Sequence, residues 1–586
     1  MGAWLLNAFS GEQPRISANL LPPNAAQQAV NTRLDSGKLA PLREPQHISQ
    51  FESYPGGYQS LCRHSDTWLG WAGYVRAVPG PVATDRLYIS GDGAPKMRVG
   101  STEYPLAVPF PTAALSGVVS GSGSGATISR VYVYTFVTAY GEESEPNPAS
   151  DIVGLQVGQT VTLSGFEGDP GGRNITKQRI YRTQTGNNGT DLYFIAERNV
   201  SNSDYVDTIA EDAFGEVIPS RAYNAPPDGL KGFTTMPNGM MAGFTGRDLH
   251  FCEPWLPHAW PEAYVLTTDY DIVALGAIGT SLIVMTEGMP YLVQGTDPSS
   301  MQMIKIESNL PCVNPFSVVD LGFAIAYASH EGLALAGASG QVQLVTSKLF
   351  SREAWQQFNP ATICAGQASG RYVASYNATN PDGTPLIGSF SIIAEGDVAF
   401  LTRSNIRAIA FYYDISEGAL YFLTSTGAIE RFDAPSGPPL DQYWKSKPLL
   451  LAAPSNFAAI RVDSDNAPSL QDVANIDAAR AAAIAANEAL LASPLGLGAE
   501  LNGAEVNTYA VAGDPLIPLP EPARTITVNV YADGVLKAAV TRTGAVVRLP
   551  SGFKARKWEV DVFGTANVEQ IALATSVAEL RSMAAS

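Results

Sequence analysis

Cysteine and histidine are scarce in this 586-residue chain, which holds four of the first and five of the second. Cys62, Cys252, Cys312 and Cys364 lie far apart and form no CxxC pair. That spacing fits free thiols in a reducing cytoplasm better than a disulfide framework. No apolar run reaches the roughly 18 residues that a bilayer-crossing helix needs, so any membrane role comes through partners. The amino terminus, Met1-Gly-Ala-Trp-Leu-Leu-Asn-Ala-Phe-Ser10, has neither a basic n-region nor a full apolar h-region, and is read as no signal peptide. Catalytic signatures are also missing: there is no G-x-S-x-G, no P-loop and no H-E-x-x-H. The glycine-rich stretch from Gly117 to Gly125 lacks the Lys and the following helix that a phosphate cradle uses. Ser116 to Gly125 is therefore expected to be a flexible linker.

Charge is sparse as well as lopsided. Charged residues make up 16% of the chain, and 55 Asp and Glu against 37 Lys and Arg leave a formal charge of −18. Tight nucleic-acid binding draws on many Lys and Arg contacts to phosphate, so this balance excludes it. A looser contact survives the same argument, because a passage through which DNA slides is served by few basic sites and net repulsion.

The chain is rich in turn formers, with 54 Gly and 41 Pro separating short runs of β-formers. Its length exceeds what one core supports, and the pattern predicts a mainly β protein of several domains. A strand-turn-strand unit recurs at a pitch of roughly 40 to 50 residues, the signature of a β-propeller. Copies run Gly239 to Phe251, Ser281 to Val293, Phe323 to Gly332, Gly370 to Ser375 and Gly418 to Gly427. Two more strands, Thr67 to Trp71 and Arg86 to Ile89, suggest a blade from the amino-terminal side.

Four regions follow from these patterns. Residues 1–60 form an irregular arm whose Pro and Gly spacing forbids long elements but whose apolar residues imply that it packs on something. Residues 61–115 and 226–445 supply the blades of an irregular β-propeller. Residues 116–225, with alternating strands near Val131 to Val137, Gly158 to Leu163, Ile175 to Arg182 and Asp191 to Ala196, read as an inserted fibronectin III-like sandwich. Residues 446–586 form a C-terminal β domain carrying a long Ala-rich helix over 469–492. Ser469-Leu-Gln-Asp472 is its capping-box-like start, Pro494 closes it, and ten Ala lie between Ala474 and Ala492. An Ala-lined helix admits a close neighbour, either another helix or subunit or the domain's own sheet. In the strand after it, Ile526, Val528 and Val530 alternate with Thr525, Thr527 and Asn529, which implies one buried face.

Few side chains suggest chemistry. Cys62-x-His64 and His250-x-Cys252 each place two soft ligands on one face of a strand, and together would make a Cys₂His₂ zinc set. Their spacing departs from the usual structural-zinc patterns, and core packing is the simpler reading, so no metal, cofactor or catalytic residue is assigned. Asp269 and Asp271, with Glu253 near Trp255 and Trp260, are the carboxylates a polysaccharide-cleaving propeller would use. A glycosidase needs two of them about 5 to 10 Å apart across a sugar cleft. Trp255 and Trp260, set among Pro254, Pro257 and Pro261, form a rigid aromatic loop suited to packing on a blade or a subunit.

Several segments carry a resemblance. Phe9-Ser-Gly-Glu-Gln-Pro-Arg15, Ala29 to Leu42, Phe251-Cys-Glu-Pro-Trp-Leu-Pro-His-Ala-Trp-Pro261, Val530-Tyr-Ala-Asp-Gly534, Arg548 to Glu559 and Ala574 to Leu580 occur in order along the chain. Together they resemble the tail nozzle, or tail tubular protein B, family of short-tailed, podovirus-like bacteriophages. The resemblance implies a non-enzymatic structural protein of the virion tail, made in the host bacterial cytoplasm. It implies a homohexameric ring below the portal and tail adaptor, with propellers outward and carboxy-terminal parts building the tube. It further implies contact with tail fibres or spikes, and transient non-specific contact with genomic double-stranded DNA conducted and retained during ejection. The fibronectin-like insertion departs from the family pattern. The alternative is a tail-associated receptor-binding or polysaccharide-depolymerising propeller, and a cellular propeller scaffold is the non-viral rival.

Overall fold

The computed structural model describes residues 2–34, 36–52, 54–186, 189–210, 213–379, 384–395, 398–468, 470–492, 516–520 and 523–583. The described chain is mainly β, built of many small sheets whose strand pairs are antiparallel except for Ala26–Val30 beside Val398–Ser404. Seven of them, taken in chain order, organise residues 46–431. The first pairs Ser60–His64 with Thr67–Trp71. The second holds Arg76–Pro79, Arg86–Ser90, Lys96–Val99 and Thr102–Pro105. The third holds Lys231–Thr235, Met241–Thr245, Asp248–Phe251 and Leu266–Thr267. Ile272–Ile278, Ser281–Thr286, Tyr291–Gln294 and Gln302–Lys305 make the fourth. Val319–Asp320, Ala324–Ala328, Leu333–Gly337 and Val342–Leu344 make the fifth. Cys364–Ala368, Arg371–Thr379, Pro385–Glu395 and Val398–Ser404 supply the sixth. The seventh takes Ala410–Asp414, Ala419–Leu423 and Ala428–Arg431, and completes itself with Gln46–Gln50 from the amino-terminal region.

Each of the five repeat units expected from the sequence supplies the second strand of its sheet. These strands are the most buried: Ser281–Thr286, Ala324–Ala328 and Ala419–Leu423 are buried at every position. Burial on both faces explains why they read as continuous apolar runs rather than alternating ones. Neighbouring sheets share cores. Cys62, Leu87 and Ile89 join the first to the second, and Val78, Tyr88, Phe233 and Met241 join the second to the third. Further shared cores link third to fourth, fourth to fifth, fifth to sixth and sixth to seventh. Leu61 with Ala410, Tyr421 and Leu423 then brings the seventh back to the first. First strands lie beside first strands: Lys231–Thr235 meets Arg76–Pro79 and Ile272–Ile278, while Ala410–Asp414 meets Cys364–Ala368 and Ser60–His64.

Residues 116–207 fold as a separate sandwich around Tyr132, Tyr134, Phe136, Val161, Leu163 and Ile180. Its sheets are Ser116–Ser120 with Thr160–Ser164 and Tyr205–Asp207, Tyr132–Thr138 with Ile175–Gly186 and Gly189–Asn199, and the pair Ser124–Arg130 with Val153–Val157. The expected flexible linker is thus corrected: Ser116–Ser120 is a strand in register with Ser164 to Thr160. Glycine there serves packing, since a Cβ on Gly117 would fall 2.6 Å from Val153 Cγ2. Gly121 and Gly125, at φ of +92° and +91°, take left-handed conformations open to glycine.

The amino-terminal arm is tied into the far end of the chain. Ala3–Leu6 pairs with Gln570–Ala574, which pairs with Ala459–Asp463 and through it Val546–Arg548. Ala26–Val30 lies between Val398–Ser404 of the sixth sheet, joined through Val30 and Arg403, and Gln442–Ser446. The sheet continues through Ala555–Gly564 and Ile526–Ala532 to Val535–Val540. Ile526, Val528 and Val530 are buried in the core beneath it, as their alternation implied. Trp444 and Trp558 are fully buried there, with Phe9 and Leu6 from the arm.

The long helix spans Leu470–Ala492, and Val577–Met583 forms the short terminal helix expected near Ser576. The cap at Ser469 and the stop at Pro494 lie outside the described residues. Among the described residues no helix is long and apolar enough to cross a membrane.

Candidate functional site

The structure does not bring the four soft ligands together. Cys62 is buried between the first and second sheets, and Cys252 between the second and third. His250 Nε2 lies 2.9 Å from the Thr245 hydroxyl, inside its own hairpin. Burial pushes the Cys62 and Cys252 thiols up to about 12. Among the described residues no group of three or more His, Cys, Asp or Glu could hold a metal ion.

Of the three carboxylates, Asp269 and Asp271 share one exposed turn and Glu253 lies elsewhere. Asp269 is exposed and donated to by Lys305 Nζ at 2.7 Å, and that hydrogen bond holds its carboxyl below the usual range. Asp271 sits exposed on the same turn, where its carbonyl accepts from Glu287 N at 3.0 Å. Glu253 belongs to a different loop, bridged to Leu256. The aromatic loop splits in two. Trp260 is buried, stacked on Phe233 at 5.5 Å, with its Nε1 donating to the Pro257 carbonyl. Trp255 stands 57% exposed with φ of +63°, its ring lying over Gly239 where a Cβ would come within 2.4 Å. A bulky residue in that region is uncommon and needs its surroundings to hold it. Here Trp255 N donates to the Gly239 carbonyl at 2.9 Å.

The long helix presents a surface of another kind. Its less exposed positions, Val473, Ile476, Arg480, Ala483, Asn487 and Leu490, recur at three and four residues and so form one stripe. That stripe faces the segment 516–520: Arg480 Nη1 donates to the Pro520 carbonyl at 2.5 Å, and Asn487 exchanges hydrogen bonds of 2.8 and 2.7 Å with Ile517. At about 100° per residue, the exposed Ala474, Ala478, Ala481 and Ala485 fall on the opposite side of the cylinder. Ile484, Leu516, Ile517 and Leu519 are exposed as well. The side bearing Ala474, Ala478, Ala481 and Ala485 is lined mainly by small apolar side chains.

A second set of residues escaped the sequence reading. Glu142, Glu143 and Arg173 of the sandwich meet Arg86, Tyr104 and His258 of the second and third sheets in a buried polar junction. Its members lie up to 172 positions apart (86 against 258), so no local spacing announces them. The one local signal was the pair of carboxylates in Gly141-Glu142-Glu143.

No family model matches this chain, and no curated protein matches it. Among solved structures, the crystal structure of BamB from Moraxella catarrhalis is similar over 62% of this chain and 97% of that chain, at 9% identity and a TM-score of 0.23. At that score the likeness decides nothing about fold details or function.

Proposed function

We propose that this chain is a structural virion protein, the subunit of the tail nozzle of a short-tailed bacteriophage. In this reading the seven sheets are blades of an irregular propeller, closed by Gln46–Gln50 as the outer strand of the last blade. The sandwich is a fibronectin III-like module, and the carboxy-terminal sheets with the long helix form the wall of a tube. Six copies surround an axis, engage the adaptor above and fibres or spikes outside, and conduct and retain the genome during ejection. The reading assigns no catalysis.

One observation carries the assembly. The helix Leu470–Ala492 exposes an alanine stripe on the side away from segment 516–520, a surface that gains stability only when a neighbour approaches closely. In proteins most helical stability comes from tertiary packing of a helix face rather than from propensity. The formal charge of −18 supports the conduit, since an acidic wall offers phosphate no deep binding minimum. The ordered segments at both ends and in the middle that resemble tail nozzle proteins support this reading.

Immunogold labelling of phage particles with an antibody raised against residues 116–207 tests the reading. Label confined to the tail supports it. A chain absent from purified particles ends it.

A further inference from the structure

The junction between sandwich and ring contains charged groups that the nozzle reading leaves without a task. Arg173, 1% exposed, donates from Nη2 to Glu142 Oε2 at 2.7 Å. Arg86 Nη1 stands 4.0 Å from Glu142 Oε1 on the same carboxylate. The Arg86 guanidinium lies over the Tyr140 ring at 4.7 Å and that of Arg173 over Tyr104 at 5.9 Å. The two rings meet edge to face at 6.0 Å. Rings cover the faces of the guanidiniums but take none of their in-plane N–H groups. Consequently Arg173 Nε and Nη1 and Arg86 Nε are buried without a hydrogen-bond partner.

The buried Tyr88 hydroxyl stands beside Arg86 as an acceptor, but no neighbouring group takes the free N–H groups of Arg173. Glu143 is committed to Arg179, to the hydroxyls of Tyr181 and Thr135, and to Ser220. His258 sits with Nε2 3.1 Å from the Glu143 carbonyl, so that nitrogen carries the proton and Nδ1 is bare. Two guanidiniums therefore share one carboxylate, which leaves an excess positive charge and several orphaned donors inside the protein. Buried donors of this kind are normally satisfied, and charged ones cost most when they are not.

We propose that this junction binds a small monovalent anion of the halide class, held on the free N–H edge of Arg173 beside Arg86. Water satisfies donors but leaves the charge; a halide does both. The site draws Arg173 from the sandwich and Arg86 from the ring, so occupancy fastens one to the other.

The test uses the full chain. Crystals soaked in sodium bromide are expected to show an anomalous peak at the Arg173 edge. In solution, hydrogen exchange of Tyr140–Ser144 and Ile175–Lys177 is followed in sodium chloride against sodium gluconate at equal ionic strength. Chloride is expected to slow exchange in proportion to its concentration once above its dissociation constant, by about tenfold at ten times that constant. Arg173→Gln abolishes that difference, and should it fail to fold, Arg86→Gln serves in its place. Water-like density without an anomalous peak overturns the proposal. So does a bromide peak with no chloride effect in solution, which marks an adventitious ion only.

Discussion

Trp444→Ala is expected to loosen the first and last segments of the chain together. Trp444 is fully buried on Gln442–Ser446, the strand lying between Ala26–Val30 and Ala555–Gly564. Its ring meets Phe9 edge to face at 5.0 Å, and its Nε1 donates to the Ser10 carbonyl at 3.0 Å. Truncating a buried Trp to Ala costs about 3–5 kcal/mol. Leaving the Ser10 carbonyl unpaired adds about 1–3 kcal/mol if water does not reach it. A combined loss of about 5 kcal/mol corresponds to a several-thousand-fold rise in local opening, since about 1.4 kcal/mol is a factor of ten. Trp444→Phe keeps most of the packing and is expected to lose only the smaller part. Hydrogen exchange reads the effect directly: amides of Ala26–Val30 and Ile526–Ala532 should lose protection in step. If Ala26–Val30 opens while Ile526–Ala532 stays protected, the arm is an accessory strap and the reasoning that makes it part of the carboxy-terminal core fails.

Four further outcomes follow from particular contacts. Burial lowers the His258 pKa below its ordinary 6.5, so the folded chain binds that proton less readily than the unfolded one. Its contribution is complete above about pH 6.5 and is lost as pH falls below it, so exchange at Glu142–Ser144 should quicken on acidification in the native chain and much less in His258→Gln. Gly117→Val drives a side chain into Val153, and a loss of about 1–3 kcal/mol from overpacking should appear in denaturant unfolding of the sandwich. Burial pushes the thiols of Cys62, Cys252, Cys312 and Cys364 up to about 12, so alkylation at neutral pH should stay slow until denaturant is added, and rapid labelling of the native chain would contradict the packing. Ala481→Glu places a charge in the alanine stripe and should abolish assembly while leaving the circular dichroism of the subunit unchanged.

Local pattern carried much of the fold. Alternation in Ile526, Val528 and Val530, the apolar second strands of five of the seven sheets and the Ala-rich helix were all legible, because each is fixed by neighbours within a few residues. Most of the arm was not, since Ala3–Leu6, Ala26–Val30 and Gln46–Gln50 acquire meaning only from partners more than 370 positions away, as Ala26–Val30 does at Arg403 (30 against 403). The run from Ser116 was misjudged for a related reason. Gly and Ser raise flexibility in isolation, but Gly117 is there because Val153 leaves no room for a Cβ. The candidate ligands fared worse. Cys62 and Cys252 look alike as sequence, and only the order of the sheets assigns them to different cores. The junction of Arg86, Glu142, Arg173 and His258 is purely tertiary, so its chemistry appears only when sandwich and ring are seen together.

The central claim is that acidic β modules close around an axis as a conduit. Electron microscopy of the purified 62.1 kDa chain, or of the same chain released from particles, measures this most directly. The account predicts six-fold rings with a central opening wide enough for duplex DNA. A population of monomers or trimers without an axial channel, under conditions where Ala481→Glu and the native chain behave alike, would contradict it.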